Sequence, residues 1–202
     1  IIDLASGKRT GEIKVGGEPE GVKIAADGKT VFVTSEVANV VHAVDLTSGK
    51  VAANIKAGKR PRRFALTPDG AQLWVTNELD ASVTVIDTAK RQALATIKFA
   101  VKGARAADIT PVGITMTRDG KRAFVALGKA NHVAFVDVAS RQATDQVLVG
   151  KRAWGLGLDK AEKTLYVVNG LSDDLTIVDV ASAKPLKTVK VGRVQHSVVV
   201  VE

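Results

Sequence analysis

The chain has 202 residues, of which 46% are hydrophobic and 25% charged, a composition that builds a folded core and excludes a disordered segment. It carries 29 Lys+Arg against 21 Asp+Glu, a net +8, so acidic partners are favoured over basic ones. With no Cys there is no disulfide framework, thiolate metal site or cysteine nucleophile, and no apolar run reaches membrane-spanning length.

The chain opens at Ile1-Ile2-Asp3, inside an apolar element and without an initiator Met, as expected of a trimmed chain. The phrase of an apolar residue followed by Asp then recurs at Val44-Asp45, Ile86-Asp87, Val136-Asp137 and Val178-Asp179, at spacings of 42, 42, 50 and 42. Residues 1–15 therefore read as the last two strands of an incomplete blade. In residues 17–58 four short strands are expected, near Gly21–Ala25, Thr30–Ser35, Val40–Asp45 and Val51–Ile55. Asp27-Gly28 between the first two is a type I′ hairpin signal, repeated at Asp69-Gly70 and Asp119-Gly120. Residues 59–108 repeat the unit with an eight-residue insertion around Phe99–Asp108; residues 109–150 and 151–192 repeat it again. Residues 193–202 read as the first strand of a closing or partial blade. Helical periodicity is absent. The predicted fold is all-β: a β-propeller of four-stranded antiparallel blades, four complete with partial blades at both ends. Phe32, Trp74, Phe124 and Tyr166 fall at one repeat position and are expected between blades. Asp45, Asp87, Asp137 and Asp179 are expected to bond their own turns. His42 reads as a buried or edge framework residue.

Leu73-Trp74-Val75-Thr76-Asn77 and Leu165-Tyr166-Val167-Val168-Asn169 resemble the naming motif of the YVTN β-propeller family, over the whole chain. Thr110-Pro111-Val112-Gly113-Ile114, Ala123-Phe124-Val125-Ala126-Leu127-Gly128 and the terminal Val191-Gly192-Arg193 look like propeller proteins associated with pyrroloquinoline-quinone-dependent catabolism. The resemblance implies seven blades in many members, export to the periplasm or outside the cell, and work beside a quinone-dependent oxidation system. Related propellers in haem nitrite reductases hold haem in the channel. No motif here carries an axial ligand over, so no cofactor is predicted.

Propeller geometry puts the blade-to-blade connections and the loops between second and third strands on one face, at the mouth of the central channel. By repeat register Glu20, Arg62, Val112, Trp154 and His196 ring that mouth. An acid, a base, an aliphatic, an indole and an imidazole at one position suggest a site grafted on the scaffold; free drift of loop residues is the alternative. The connections are also basic, with Lys59, Arg60, Arg62, Arg63, Arg105, Lys151, Arg152 and Arg193. Arginine grips carboxylate or phosphate through paired bonds, while a generally basic surface is the competing explanation. The predicted ligand site comprises Arg60, Arg62, Arg63, Arg152, Trp154, Arg193 and His196. The insertion reads as a flap, a partner contact or an inert loop.

No Ser-His-Asp group, paired-carboxylate site, phosphate loop or dinucleotide fingerprint is legible, and His132 and His196 are too few for a metal site. The expected function is a non-enzymatic binding or scaffold propeller, taking an anionic small molecule or a protein. A nucleic-acid-binding propeller and an enzyme or cofactor carrier using the channel mouth are the alternatives.

Overall fold

Valine- and isoleucine-rich runs, interrupted by Asp- and Gly-bearing turns, pair into sheets with their sequence neighbours. A computed structural model describes residues 1–201. In it sixteen strands make four antiparallel sheets of four, each ordered as in the chain. The first blade holds β1 (Val22–Ile24), β2 (Thr30–Ser35), β3 (Val40–Asp45) and β4 (Lys50–Lys56). The second holds β5 (Pro61–Leu66), β6 (Gln72–Asn77), β7 (Ser82–Asp87) and β8 (Gln92–Lys98). The third holds β9 (Ile114–Met116), β10 (Arg122–Ala126), β11 (His132–Asp137) and β12 (Gln142–Leu148). The fourth holds β13 (Ala153–Leu158), β14 (Thr164–Asn169), β15 (Asp174–Asp179) and β16 (Lys184–Lys190). The one helical element among the described residues is a 3-10 turn, Ala106–Asp108.

Period-2 alternation gives the blades apolar faces, and facing surfaces of successive blades pack on each other. Phe32, Val41 and Ile55 of the first blade meet Leu73, Val75 and Ile86 of the second. Trp74, Val83 and Val85 meet Ala123, Val125 and Val136 of the third. Phe124 and Phe135, edge to face at 4.8 Å, meet Leu165, Val167 and Val178 of the fourth. Phe32, Trp74 and Phe124 are fully buried as expected, whereas Tyr166 is only half-buried. It points from the last blade, where no described sheet covers it.

The turns differ from the sequence reading. Among the Asp-Gly pairs only the glycines, Gly28, Gly70 and Gly120, have positive φ, so these are not type I′ hairpins, which need it at both central residues. The Asp instead caps a longer turn: Asp27 Oδ1 accepts from the N–H of Lys29 and Thr30. Asp159 does the same for Lys163 and Thr164 in the fourth blade, where Glu162 takes the positive φ. The Asp that ends each third strand bonds its own turn, as with Asp45 to Ser48 N–H and Asp179 to Ser182 N–H.

Both termini lack the expected strands. Residues 1–15 hold one isolated bridge, Ile2 to Arg9, around a turn capped by Asp3, not a two-stranded ladder. Residues 195–201 form no ladder either, yet they run beside β13 where a fifth inner strand belongs. A Cβ on Gly155 would stand 2.6 Å from His196 O, matching Gly113 against Trp154 O at 2.0 Å and Gly21 against Arg62 O at 2.1 Å. Each terminal segment lacks a neighbouring strand to bond, and an unpaired strand does not persist. Glu202, the last residue of the predicted closing strand, lies outside the described residues.

Candidate functional site

The channel-mouth loops are set by a repeated clamp. In four of the blade-to-blade connections a residue is held at positive φ, Glu18 at 50°, Arg60 at 55°, Arg152 at 60° and Val194 at 50°, and the last three are clamped. A side chain on the preceding second-to-third-strand loop receives the N–H of each of these three. Asn39 Oδ1 binds Arg60 N–H at 2.8 Å, Asn131 Oδ1 binds Arg152 N–H at 2.8 Å, and Asp173 Oδ1 binds Val194 N–H at 2.9 Å. The clamps aim the residues two positions on, Arg62, Trp154 and His196, at the channel. Thr34 and Thr76 then staple neighbouring inner strands, donating to Arg62 O at 3.3 Å and Val112 O at 2.7 Å.

The third connection departs from this pattern. It carries the insertion, and Phe99, Val101 and Ile109 are buried against Leu127, Ala130 and Ala134. In the other blades the positions of Leu127 and Ala134 are polar. Asn77 donates to Ser82 and Thr84 there, and Asn169 to Asp174 and Thr176. The insertion is thus an apolar plug over an apolar blade end, with an open groove of about 500 Å³ beside it.

The predicted cations divide into two groups. Arg60, Arg62 and Arg63 are paired with three acidic side chains. Arg62 is buried, its Nη1 2.7 Å from Glu20 Oε2, 2.5 Å from Glu36 Oε1 and 3.4 Å from Glu78 Oε2. Arg60 Nε lies 2.5 Å from Glu36 and 3.2 Å from Glu78, and Arg63 Nε 3.1 Å from Glu20. Burial, helped by a hydrogen bond with Glu36, pushes the Glu20 carboxyl up to about 7 against the pull of Arg62 and Arg63. Burial acts the same way on Glu36, but the hydrogen bond from Glu20 and the guanidinium groups of Arg60 and Arg62 outweigh it and hold Glu36 below the usual carboxylate range. Ring position 20 and the two loop acids share one buried network.

The other group lies at the fourth blade. Arg152 stacks on Trp154, its guanidinium carbon 4.4 Å from the ring centroid, and Arg62 approaches the same ring at 5.4 Å. His196 packs on the indole at 4.9 Å between ring centroids. Trp154 is 8% exposed, and its Nε1 is buried without a partner. Neither Arg152 nor Arg193 makes an ion pair among the described residues, and Arg193 is exposed. A channel cleft of about 310 Å³ is bordered by Gly21, Arg63, Val112, Trp154 and His196. Of the five ring positions read from the sequence, Val112, Trp154 and His196 border this cleft, whereas Glu20 and Arg62 give way there to their neighbours Gly21 and Arg63. Sequence reasoning missed Glu36 and Glu78, and so counted Arg60, Arg62 and Arg63 as free.

The remaining candidates are framework. His42 Nε2 accepts the Gly16 N–H at 2.9 Å, and its Nδ1 meets Asn54 at 2.6 Å. His132 Nδ1 meets Ala130 O at 2.6 Å. Trp74 is fully buried and offers no stacking surface for a base. Among the described residues no helix is long and apolar enough to cross a membrane.

The family model described as "Lactonase, 7-bladed beta-propeller" matches residues 23–202. No functionally curated protein matches. Among solved structures, Kuenenia stuttgartiensis hydrazine synthase superimposes with a TM-score of 0.74 at 26% identity, over 94% of this chain and 53% of that one. A protein of unknown function from Desulfotomaculum acetoxidans superimposes with a TM-score of 0.78 at 18% identity, over 97% of this chain and 65% of that one. The chain thus spans less than two thirds of either relative.

Proposed function

The chain belongs to the lactonase-type seven-bladed β-propeller family, and from that premise we propose that it is a binding module, without catalysis of its own, for an anionic small molecule. The site is the fourth-blade side of the channel mouth, formed by Arg152, Trp154, Arg193 and His196. One observation carries the reading: Arg152 lies on an indole face with no carboxylate partner among the described residues, while Arg60, Arg62 and Arg63 are each held by acids. An unpaired guanidinium over a low-dielectric wall attracts a carboxylate or phosphate, and Trp154 and His196 add flat surface for a planar ligand. Export and service beside a quinone-dependent oxidation system complete the proposal, on the resemblance alone. The test is calorimetric titration with a polycarboxylate panel that includes pyrroloquinoline quinone and citrate. Arg152→Glu should weaken the best ligand at least about tenfold, one unit of paired charge being worth that much in a partly buried site. Reversal of Lys29 and Lys121 on the opposite face should leave it unchanged. Equal losses from both faces would reduce the site to general charge attraction.

A second reading has its own support. Glu20, proton-bearing near neutral pH beside ionised Glu36, has the paired character of an acid–base couple, and the family's description carries the word lactonase. Hydrolysis of a lactone panel, abolished by Glu20→Gln, would replace the binding reading.

A further inference from the structure

The open groove of about 500 Å³ beside the insertion has two cationic walls. One is the insertion, with Lys102, Arg105 and Asp108; the other is the loop from β10 into β11, with Lys129 and His132. None of these groups belongs to the repeat. Lys129 stands where the other blades have exposed Val37, Leu79 and Leu171, and His132 where they have Val40, Ser82 and Asp174. Lys102 and Arg105 arrive with the insertion. Both walls are held in place. Phe99, Val101 and Ile109 anchor the insertion in the core, Gln146 Nε2 donates to Ala100 O at 2.7 Å, and the Lys129 N–H donates to Thr110 Oγ1 at 2.9 Å. The one acid bordering the groove is already taken, because Arg105 Nε and Nη2 grip Asp108 at 2.6 and 3.1 Å. That hydrogen bonding holds the Asp108 carboxyl below its ordinary range against the effect of burial, and the charges of Arg105 and Lys129 reinforce it, so the Lys129 ammonium lies within electrostatic reach of the opposite wall. Lys102 and Lys129 make no ion pair or side-chain hydrogen bond among the described residues. His132 Nδ1 donates to Ala130 O, since a carbonyl oxygen only accepts, and Nε2 is the ring nitrogen left for a ligand.

We propose that this groove is a second anion site, separate from the fourth-blade side of the channel mouth, and that it takes a phosphoryl group, free or esterified. Phosphate rather than carboxylate follows from the donors. The groove's one arginine, whose planar fork suits a carboxylate, is spent on Asp108. Two ammonium point charges and an imidazole remain, and these suit the three spread oxygens of a phosphoryl group. Near neutral pH a phosphoryl group is partly protonated, so it can meet His132 Nε2 as donor or as acceptor, whereas an ionised carboxylate only accepts. The volume exceeds one phosphate ion and accommodates an ester. The groove does not depend on the reading of Arg152 and Trp154, and either can fail without the other.

Three histidines make the experiment direct. His132 reports the groove and His196 the mouth, while His42, whose two ring nitrogens are engaged by Gly16 and Asn54, is the internal control. Inorganic phosphate, glucose 6-phosphate and citrate are titrated separately, at fixed pH and ionic strength, while the three imidazole resonances are followed by nuclear magnetic resonance. The His132 resonance should shift saturably with the phosphates and at least about tenfold less tightly with citrate, the scale of one charge-assisted hydrogen bond. The His42 resonance should stay fixed throughout. Lys129→Leu restores the residue that Leu79 and Leu171 supply at the same repeat position. It should weaken phosphate at least about tenfold, with the His42 resonance and the thermal midpoint reporting that the fold is kept. Equal affinity for the two phosphates would assign the groove to the free ion, and tighter binding of the sugar phosphate to an esterified one. An unmoved His132 resonance, equal affinity for citrate, or undiminished binding by Lys129→Leu would each overturn the site. Arg152→Glu separates the two anion sites. It should leave the His132 response intact, and a response lost with it would put the phosphate at the mouth and overturn the groove.

Discussion

Arg62→Met tests whether the buried charge network is a structural joint between the first two blades. The substitution keeps most of the side-chain volume and removes the one nitrogen that touches Glu20, Glu36 and Glu78 together. The side chains of Arg62, Glu36 and Glu78 are each less than a tenth exposed, so the acids are not rescued by solvent. Removing one partner of a buried pair costs about 3–5 kcal/mol. Glu20 lowers that cost at neutral pH, because with its carboxyl near 7 it is already about half protonated. The lower end, about 3 kcal/mol, is therefore expected at pH 7. For a domain of this size that is a fall of roughly 6–12 °C in thermal midpoint. The pH dependence has a definite sign. Glu20 is raised from an ordinary 4.5 to about 7, so its contribution is fully present below about 4.5 and is lost as pH rises through 7. Glu36 is depressed, so its contribution is present above the ordinary carboxylate range and is lost as pH falls through its lowered value. Arg62→Met should thus destabilise more at about pH 8 than at about pH 6, where Glu20 carries its proton. Thermal melts followed by circular dichroism across that range are the assay. A loss below about 1 kcal/mol, the scale of a surface pair, or a loss independent of pH would refute the joint.

Trp74→Ala should cost about 3–5 kcal/mol, since the indole fills the contact between the second and third blades; an unchanged thermal midpoint would contradict that packing. Gly113→Ala would place a Cβ 2.0 Å from Trp154 O, a backbone atom that cannot swing away, so the inner strands of the third and fourth blades must part. Ligand binding at the mouth should weaken in that variant more than its melting temperature falls, and titration beside a melt would show whether it does.

The blades were legible because the same solution is written four times. Asp45, Asp87, Asp137 and Asp179 recur in register, and each bonds its own turn. The turn type was not legible, because Asp-Gly suits both a two-residue hairpin and a longer turn whose Asp side chain caps the loop. That Val112, Trp154 and His196 border one cleft followed from register alone. The charge state of the ring did not, because its acids sit on a different loop. A usable signal existed: Glu36 and Glu78 occupy one repeat position on either side of the connection that carries Arg60 and Arg62, while Gly128 and Gly170 fill that position on either side of the connection where Arg152 keeps the first arginine and Trp154 replaces the second. The insertion was misleading for a similar reason. Its buried Phe99, Val101 and Ile109 answer Leu127 and Ala134, and only the exchange of a polar pair for an apolar one reveals that it is a plug.

The clamps on the mouth loops separate two jobs that most binding sites mix. Asn39, Asn131 and Asp173 hold their loops through backbone N–H groups, so the clamps do not depend on which side chain stands two positions later. Exchange of Trp154 or His196 leaves the anchoring bonds untouched. Selection, natural or in a randomised library, can therefore rewrite the mouth one blade at a time, and a recombinant assembled from blades of different relatives should inherit a mosaic specificity while keeping its scaffold.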